Sequence, residues 1–218
     1  MLASDIITRV QRQFGDEAAV QVTEADIIRW INDGQREIIK HNETLLEKAS
    51  TTSTVANQQA YNLPTDLMIF QGMFFKDSGM NSFQKLKGYN FKQFNELVDQ
   101  WDGTDYPAGV PTIFTLYAGQ FLLFPIPSLS LSNAIKIYYN RKPTDVVTGA
   151  SSIDLPDQYF EVLVKHCLSQ AYEMDEDWEA AGAKMTEVAS DLKLLRGRED
   201  WKDQEFYPVI TVRQEDLD

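Results

Sequence analysis

The chain has 218 residues, a net charge of −13, 43% hydrophobic residues and a single cysteine, Cys167. That length buries a real core in one large domain or two modest ones, and one cysteine excludes an intrachain disulfide framework or a multi-cysteine metal knot. No run approaches about 18 apolar residues, and Met1 to Asp5 lacks the basic-then-apolar pattern of a signal peptide, so a soluble protein made in a cytosol, without membrane contact, is expected.

The charge is uneven. Residues 1–50 carry 9 acids and 6 bases, 51–148 carry 7 and 7, 149–198 carry 10 and 5, and 199–218 carry 7 and 2. Acidic flanks around a neutral middle repel phosphates, which argues against a sequence-reading DNA protein and against a membrane-surface helix.

In chain order, Ser4 is placed to cap a first helix with the apolar face Ile6, Ile7, Val10 and Phe14, and Gly15 is a suitable stop. Thr23-Glu24-Ala25-Asp26 matches a capping box, with Val22 able to staple onto Ile27. Ile27, Ile28, Trp30, Ile31, Gly34, Ile38, Ile39, Leu45 and Leu46 follow at helical spacing, on a stripe too wide for one neighbour.

At Ser50 the period changes. Ser50 to Val55 and Tyr61 to Pro64 read as two strands of a hairpin turning at Asn57-Gln58-Gln59. Leu67 to Lys76 fits a buried strand, Phe83 to Lys87 an exposed one, and Tyr89 to Trp101 a short helix. Asp102 to Pro111 is a loop rich in Gly and Pro. A second hairpin runs from Ile113 to Tyr117, through Ala118-Gly119, to Phe121 to Phe124, and Ala134 to Asn140 adds a strand.

Asp154 to Arg198 reads as two antiparallel helices. Asp154, Pro156 and Asp157 suit a first turn. Phe160, Leu163, Val164, Cys167, Leu168, Ala171 and Tyr172 form one apolar stripe, and Trp178, Ala181, Met185, Val188, Ala189, Leu192 and Leu195 a second, separated by the acidic break Glu173 to Asp177. The expected fold is therefore α+β: an antiparallel helical bundle from residues 1–49 and 149–198, an inserted antiparallel β region at 50–148, and an extended C-terminal arm at 199–218.

No motif for chemistry emerges. His41 and His166 are the only histidines, and neighbouring helix residues point about 100° apart, so His166 and Cys167 cannot pair as base and nucleophile. Asp175-Glu176-Asp177 lacks the spacing of a calcium loop and reads as a helix start. With no phosphate loop, zinc motif or nucleophile elbow, no catalytic residue, metal ligand or cofactor is expected. Trp101, Asp102, Asp105 and Tyr106 suit a loop interface, or a glycan contact in an alternative reading as a glycan- or receptor-binding module.

The order of several strings resembles the head-to-tail connector (adaptor) proteins of tailed bacteriophages. They are Tyr61-Asn62-Leu63-Pro64-Thr65-Asp66, Gly109-Val110-Pro111 ahead of Phe114 and Tyr117, Gly119 to Pro127, Tyr138-Tyr139 with Pro143, Leu155-Pro156-Asp157-Gln158-Tyr159, and Ala171-Tyr172-Glu173. The resemblance covers roughly residues 4 to 198. It implies a non-enzymatic neck protein of the virion, made in the host cytoplasm. It further implies a homo-oligomeric ring, commonly of about twelve copies, between the portal protein and a tail or nozzle protein, through which DNA passes without specific binding.

Beyond the resemblance, residues 199–218 combine charge with large apolar side chains. Trp201, Phe206, Tyr207, Pro208, Val209, Ile210 and Val212 are the expected anchors of an arm that orders against another subunit or the portal.

Overall fold

The computed structural model describes residues 1–42, 45–99 and 108–203. Its helices are α1 (Ala3–Phe14), α2 (Glu24–His41), α3 (Phe91–Asp99), α4 (Phe160–Met174) and α5 (Trp178–Asp203). The strands are β1 (Glu47–Thr52), β2 (Ala60–Asn62), β3 (Leu67–Phe75), β4 (Gln84–Lys85), β5 (Lys87–Gly88), β6 (Ala108–Gly109), β7 (Ile113–Tyr117), β8 (Gln120–Phe124), β9 (Ile126–Pro127) and β10 (Ile135–Arg141). The chain forms two compact units, one of Met1–Gly34, Val146–Ser152 and the described residues from Pro156 on, the other of Gln35–Asp145 and Ile153–Leu155.

In the first unit α1 and α5 both pack on α4. Gly15 ends α1 with φ of 88°, a left-handed conformation that costs glycine nothing. Thr23 starts α2 as expected: its hydroxyl accepts the Asp26 N–H at 3.3 Å and donates to the Asp26 carboxylate at 2.6 Å. Asp16 holds the preceding turn, its carboxylate accepting the N–H groups of Val20, Gln21 and Val22 at 3.0, 2.7 and 2.8 Å. The core is apolar, with Ile6, Val10, Ile27, Ile31, Leu163 and Val164 fully buried. Ser169 brings a hydroxyl into it and satisfies it on the Ala181 carbonyl at 3.0 Å.

The second unit holds two four-stranded sheets, in the orders β1-β10-β3-β4 and β2-β8-β7-β5, and the pair β6-β9. Alternation along β10 sends Ile135, Ile137 and Tyr139 into a core shared with Met73, Phe121 and Leu123. Phe94 and Val98 of α3 close a smaller cluster on Phe124. The β7–β8 hairpin turns at Ala118 and Gly119, with φ of 49° and 75°, as the sequence predicts.

Several expectations are corrected. The chain is α+β but sheet-rich, with five helices among the described residues, and it is not an antiparallel helical bundle. Helix α2 divides between the units at Gly34, and the second stripe is not a single buried face. Ala181, Val188 and Leu192 are buried, whereas Trp178 and Met185 are 69% and 40% exposed. Nor are the sheets purely antiparallel, since β5–β7 and β6–β9 pair in parallel. The first expected hairpin does not form. Its first strand pairs with β10 and its second with β8, because Tyr61 stacks on Phe121 at 5.4 Å in the second sheet while Thr54 bonds the 129–131 segment. Asp154 lies outside the helix it was expected to start, and a 3-10 turn, Asp157–Tyr159, precedes α4. At the other end α5 continues to Asp203, so an extended arm does not begin at residue 199; residues 204–218 lie outside the described residues.

Leu168, in the middle of the α4 stripe, is 2% exposed. Leu168→Ala is expected to lower unfolding free energy by about 2–5 kcal/mol, through lost burial and the cavity left behind. Urea denaturation checks this, and an unchanged midpoint would contradict the packing of α4.

Candidate functional site

The anchors proposed for the arm fall mainly beyond the described residues. Trp201 lies on the backbone of α5; Phe206, Tyr207, Pro208, Val209, Ile210 and Val212 lie outside them, as do the loop residues Trp101, Asp102, Asp105 and Tyr106.

The groups that chemistry would enlist have structural surroundings. Cys167 is 0% exposed on α4, and burial pushes its thiol above the ordinary range, so it stays neutral. His41 Nε2 sits 3.3 Å from Glu37 Oε1, one turn back on the exposed side of α2. His166 packs so closely on Gly34 that a Cβ there would stand 2.8 Å from its ring.

Three carboxylates instead tie loops to the frame; reading the sequence for motifs missed two of them, Asp16 and Asp66, and gave the third, Asp154, to a helix turn. The first is Asp16, described above; its N–H partners, Val22 foremost, hold its carboxyl below the usual range. The second, Asp66, accepts Lys48 Nζ at 2.7 Å and the Tyr139 hydroxyl at 2.8 Å. Lys48 lowers the Asp66 pKa, Asp66 raises that of Lys48, and burial followed by Asp66 raises that of Tyr139. The third, Asp154, accepts Arg141 Nη1 at 2.8 Å and the Thr144 N–H at 2.7 Å. Burial works against its charged form, but these donors outweigh it and leave the pKa lowered.

What the described residues offer a partner is surface. On the sheet β1-β10-β3-β4, Lys136 stands opposite Phe74, and Phe74 opposite Lys85, so two cations flank an aromatic ring in one row. Tyr138 faces Gly72 across the same strands. The missing side chain opens a groove of about 320 Å³ lined by Gln71, Gly72, Phe74, Lys85 and Tyr138. Phe74 and Tyr138 meet edge to face at 5.3 Å, and Lys136 Nζ lies 4.7 Å from the Tyr138 ring centre and 5.8 Å from that of Phe83. Elsewhere Phe91 and Tyr117 stack at 4.0 Å on the surface, and Trp178 is exposed at the start of α5. Aromatic side chains partly open to solvent are the groups that anchor protein interfaces. No described helix is long and apolar enough to cross a membrane. The only sequence signal for the groove was Gly72 inside an apolar run.

Residues 1–212 match the family model described as SU10 adaptor protein. No curated protein matches the chain.

Asp154 yields a pH prediction. A carboxyl whose folded pKa lies below its unfolded value of about 3.9 adds stability above that value, and this is lost as pH falls through the folded pKa. Asp154→Asn is therefore expected to lower the urea midpoint at pH 7, with the gap to the unaltered protein closing below about pH 4. A gap that stayed constant to pH 3 would contradict the assignment. Cys167 is expected to react with a thiol reagent only after denaturation; labelling of the native chain at the rate of a free thiol would contradict its burial.

Proposed function

The chain belongs to the SU10 adaptor protein family, and from that premise we propose that it is the ring adaptor of a phage neck, between portal and tail, around the channel through which DNA leaves the capsid. As a family member it is a structural phage adaptor and a component of the virion, assembling with other head or tail proteins. The finer reading is that identical copies close into a ring, of about twelve on the family pattern, with portal on one side and a tail or nozzle protein on the other. It works by shape and not by catalysis.

The family match carries this reading, and the charge pattern supports it. Segments 1–49 and 149–198 together carry −8 of the net charge of −13 and would line the channel, where like charge lets DNA slide without adhering. The neutral region 50–148 would meet protein, and residues 204–218, beyond the end of α5, would reach a neighbouring copy or the portal.

Negative-stain images of the purified chain, alone and with its portal, test the proposal. Closed rings with a central opening are expected. Monomers that ignore portal but bind an array of glycans would overturn it, and would favour the Trp101 to Pro111 loop as a receptor-binding site.

A further inference from the structure

We propose that the groove beside Gly72 is the docking site for the acidic C-terminal segment, residues 204–218, of a second copy of this chain. This rests on the reading that copies assemble, and it names the surface on which one copy receives another.

The receiving face is built across three strands. Gly72 forms the floor, Phe74 and Tyr138 the walls, and Lys85 and Lys136 stand in one row on either side of Phe74. Lys136 is held over two rings, and Lys85 is exposed. The lysine ion pairs of the described residues are made by Lys40, Lys48, Lys165 and Lys184, and these two lysines are in none of them. A carboxylate on the same face, Glu47, already accepts the Gln71 amide at 3.2 Å. An aromatic slot between cations that make no ion pair among the described residues fits a peptide that alternates apolar bulk with carboxylates.

Residues 204–218 have that chemistry. They hold four acids, Glu205, Glu215, Asp216 and Asp218, against the single base Arg213, with Phe206 and Tyr207 as aromatic anchors and Val209 to Val212 favouring an extended course. DNA is the other polyanion in such an assembly, but a chain of net charge −13 opposes its approach, and two lysines make a small phosphate footprint.

The test places p-benzoylphenylalanine at position 206 of the full chain, mixes isotopically light and heavy copies, and irradiates the mixture. Cross-links are expected between copies of unlike label, from residue 206 to peptides containing Gly72, Phe74 or Tyr138. Lys85→Glu with Lys136→Glu should reduce them roughly tenfold or more, and Glu215→Lys with Asp216→Lys should restore them. Since Lys136 is half-buried, Lys85→Glu alone serves if the double variant fails to fold. Cross-links to another surface, cross-links only within one copy, or a yield indifferent to these charges would overturn the proposal. So would loss of the cross-link to a single-stranded oligonucleotide at low salt, which would assign the groove to DNA. Images of the same sample separate the two readings: rings without this cross-link sink the groove alone, and cross-linked pairs that never close sink the ring alone.

Discussion

Strand β10 fixes the sheet-rich unit. Hydrogen-bonded to β1 on one edge and β3 on the other, it drives Ile135, Ile137 and Tyr139 into the core, where each is at most 1% exposed. A buried tyrosine needs an acceptor for its hydroxyl, so Asp66 must stand beside it, and the carboxylate in turn needs a cation. Lys48 of β1 supplies that cation. One inward aromatic thus dictates the ion pair that ties β1 to the turn before β3. The last residue of the strand, Arg141, repeats the logic on Asp154, which in turn takes the Thr144 N–H and fixes the exit of the chain from the sheet.

Helix α4 has the corresponding place in the other unit. Its buried face of Leu163, Val164, Cys167, Leu168 and Ala171 is met by α1 and α5, and Lys165 reaches Glu187 and Asp191 of α5 at 3.3 and 2.7 Å from the rim. Such rim pairs align the two helices more than they stabilise them, since exposed ion pairs contribute little. The thiol, the histidines and the best-placed carboxylates are all taken up by structure. Among the described residues, what is left to act on a partner is shape, charge and exposed aromatic surface.

The sequence shows most of its local features, although Ser4 lies inside α1, whose N-cap is Leu2, and Asp154 lies outside α4; it hides its distant ones. The Thr23 cap, the Gly15 stop and the Ala118-Gly119 turn are decided by residues a few positions apart, and each is found where its pattern predicts. Pairing across sequence distance is different. Nothing near Ser50 reveals that β1 joins β10, some ninety residues on, or that Tyr61 leaves its expected hairpin partner to stack on Phe121. The bundle expectation failed for a related reason. A stripe at helical spacing shows that a helix has an apolar face but not that every residue of it is covered, and Trp178 and Met185 are not. The candidate groove was equally hidden, because Gly72, Phe74, Lys85 and Tyr138 become neighbours only through the register of three strands.

If copies assemble as proposed, β10 and α4 are inert frames and assembly takes place on the surfaces around them. Hydrogen exchange of the full chain, alone and in its assembled particle, measures this directly. Amides of β10 and α4 are predicted to exchange equally slowly in both states, while protection is gained around β4, at the exposed start of α5 and in residues 204–218. Protection gained chiefly within β10 or α4, or gained nowhere, would contradict it.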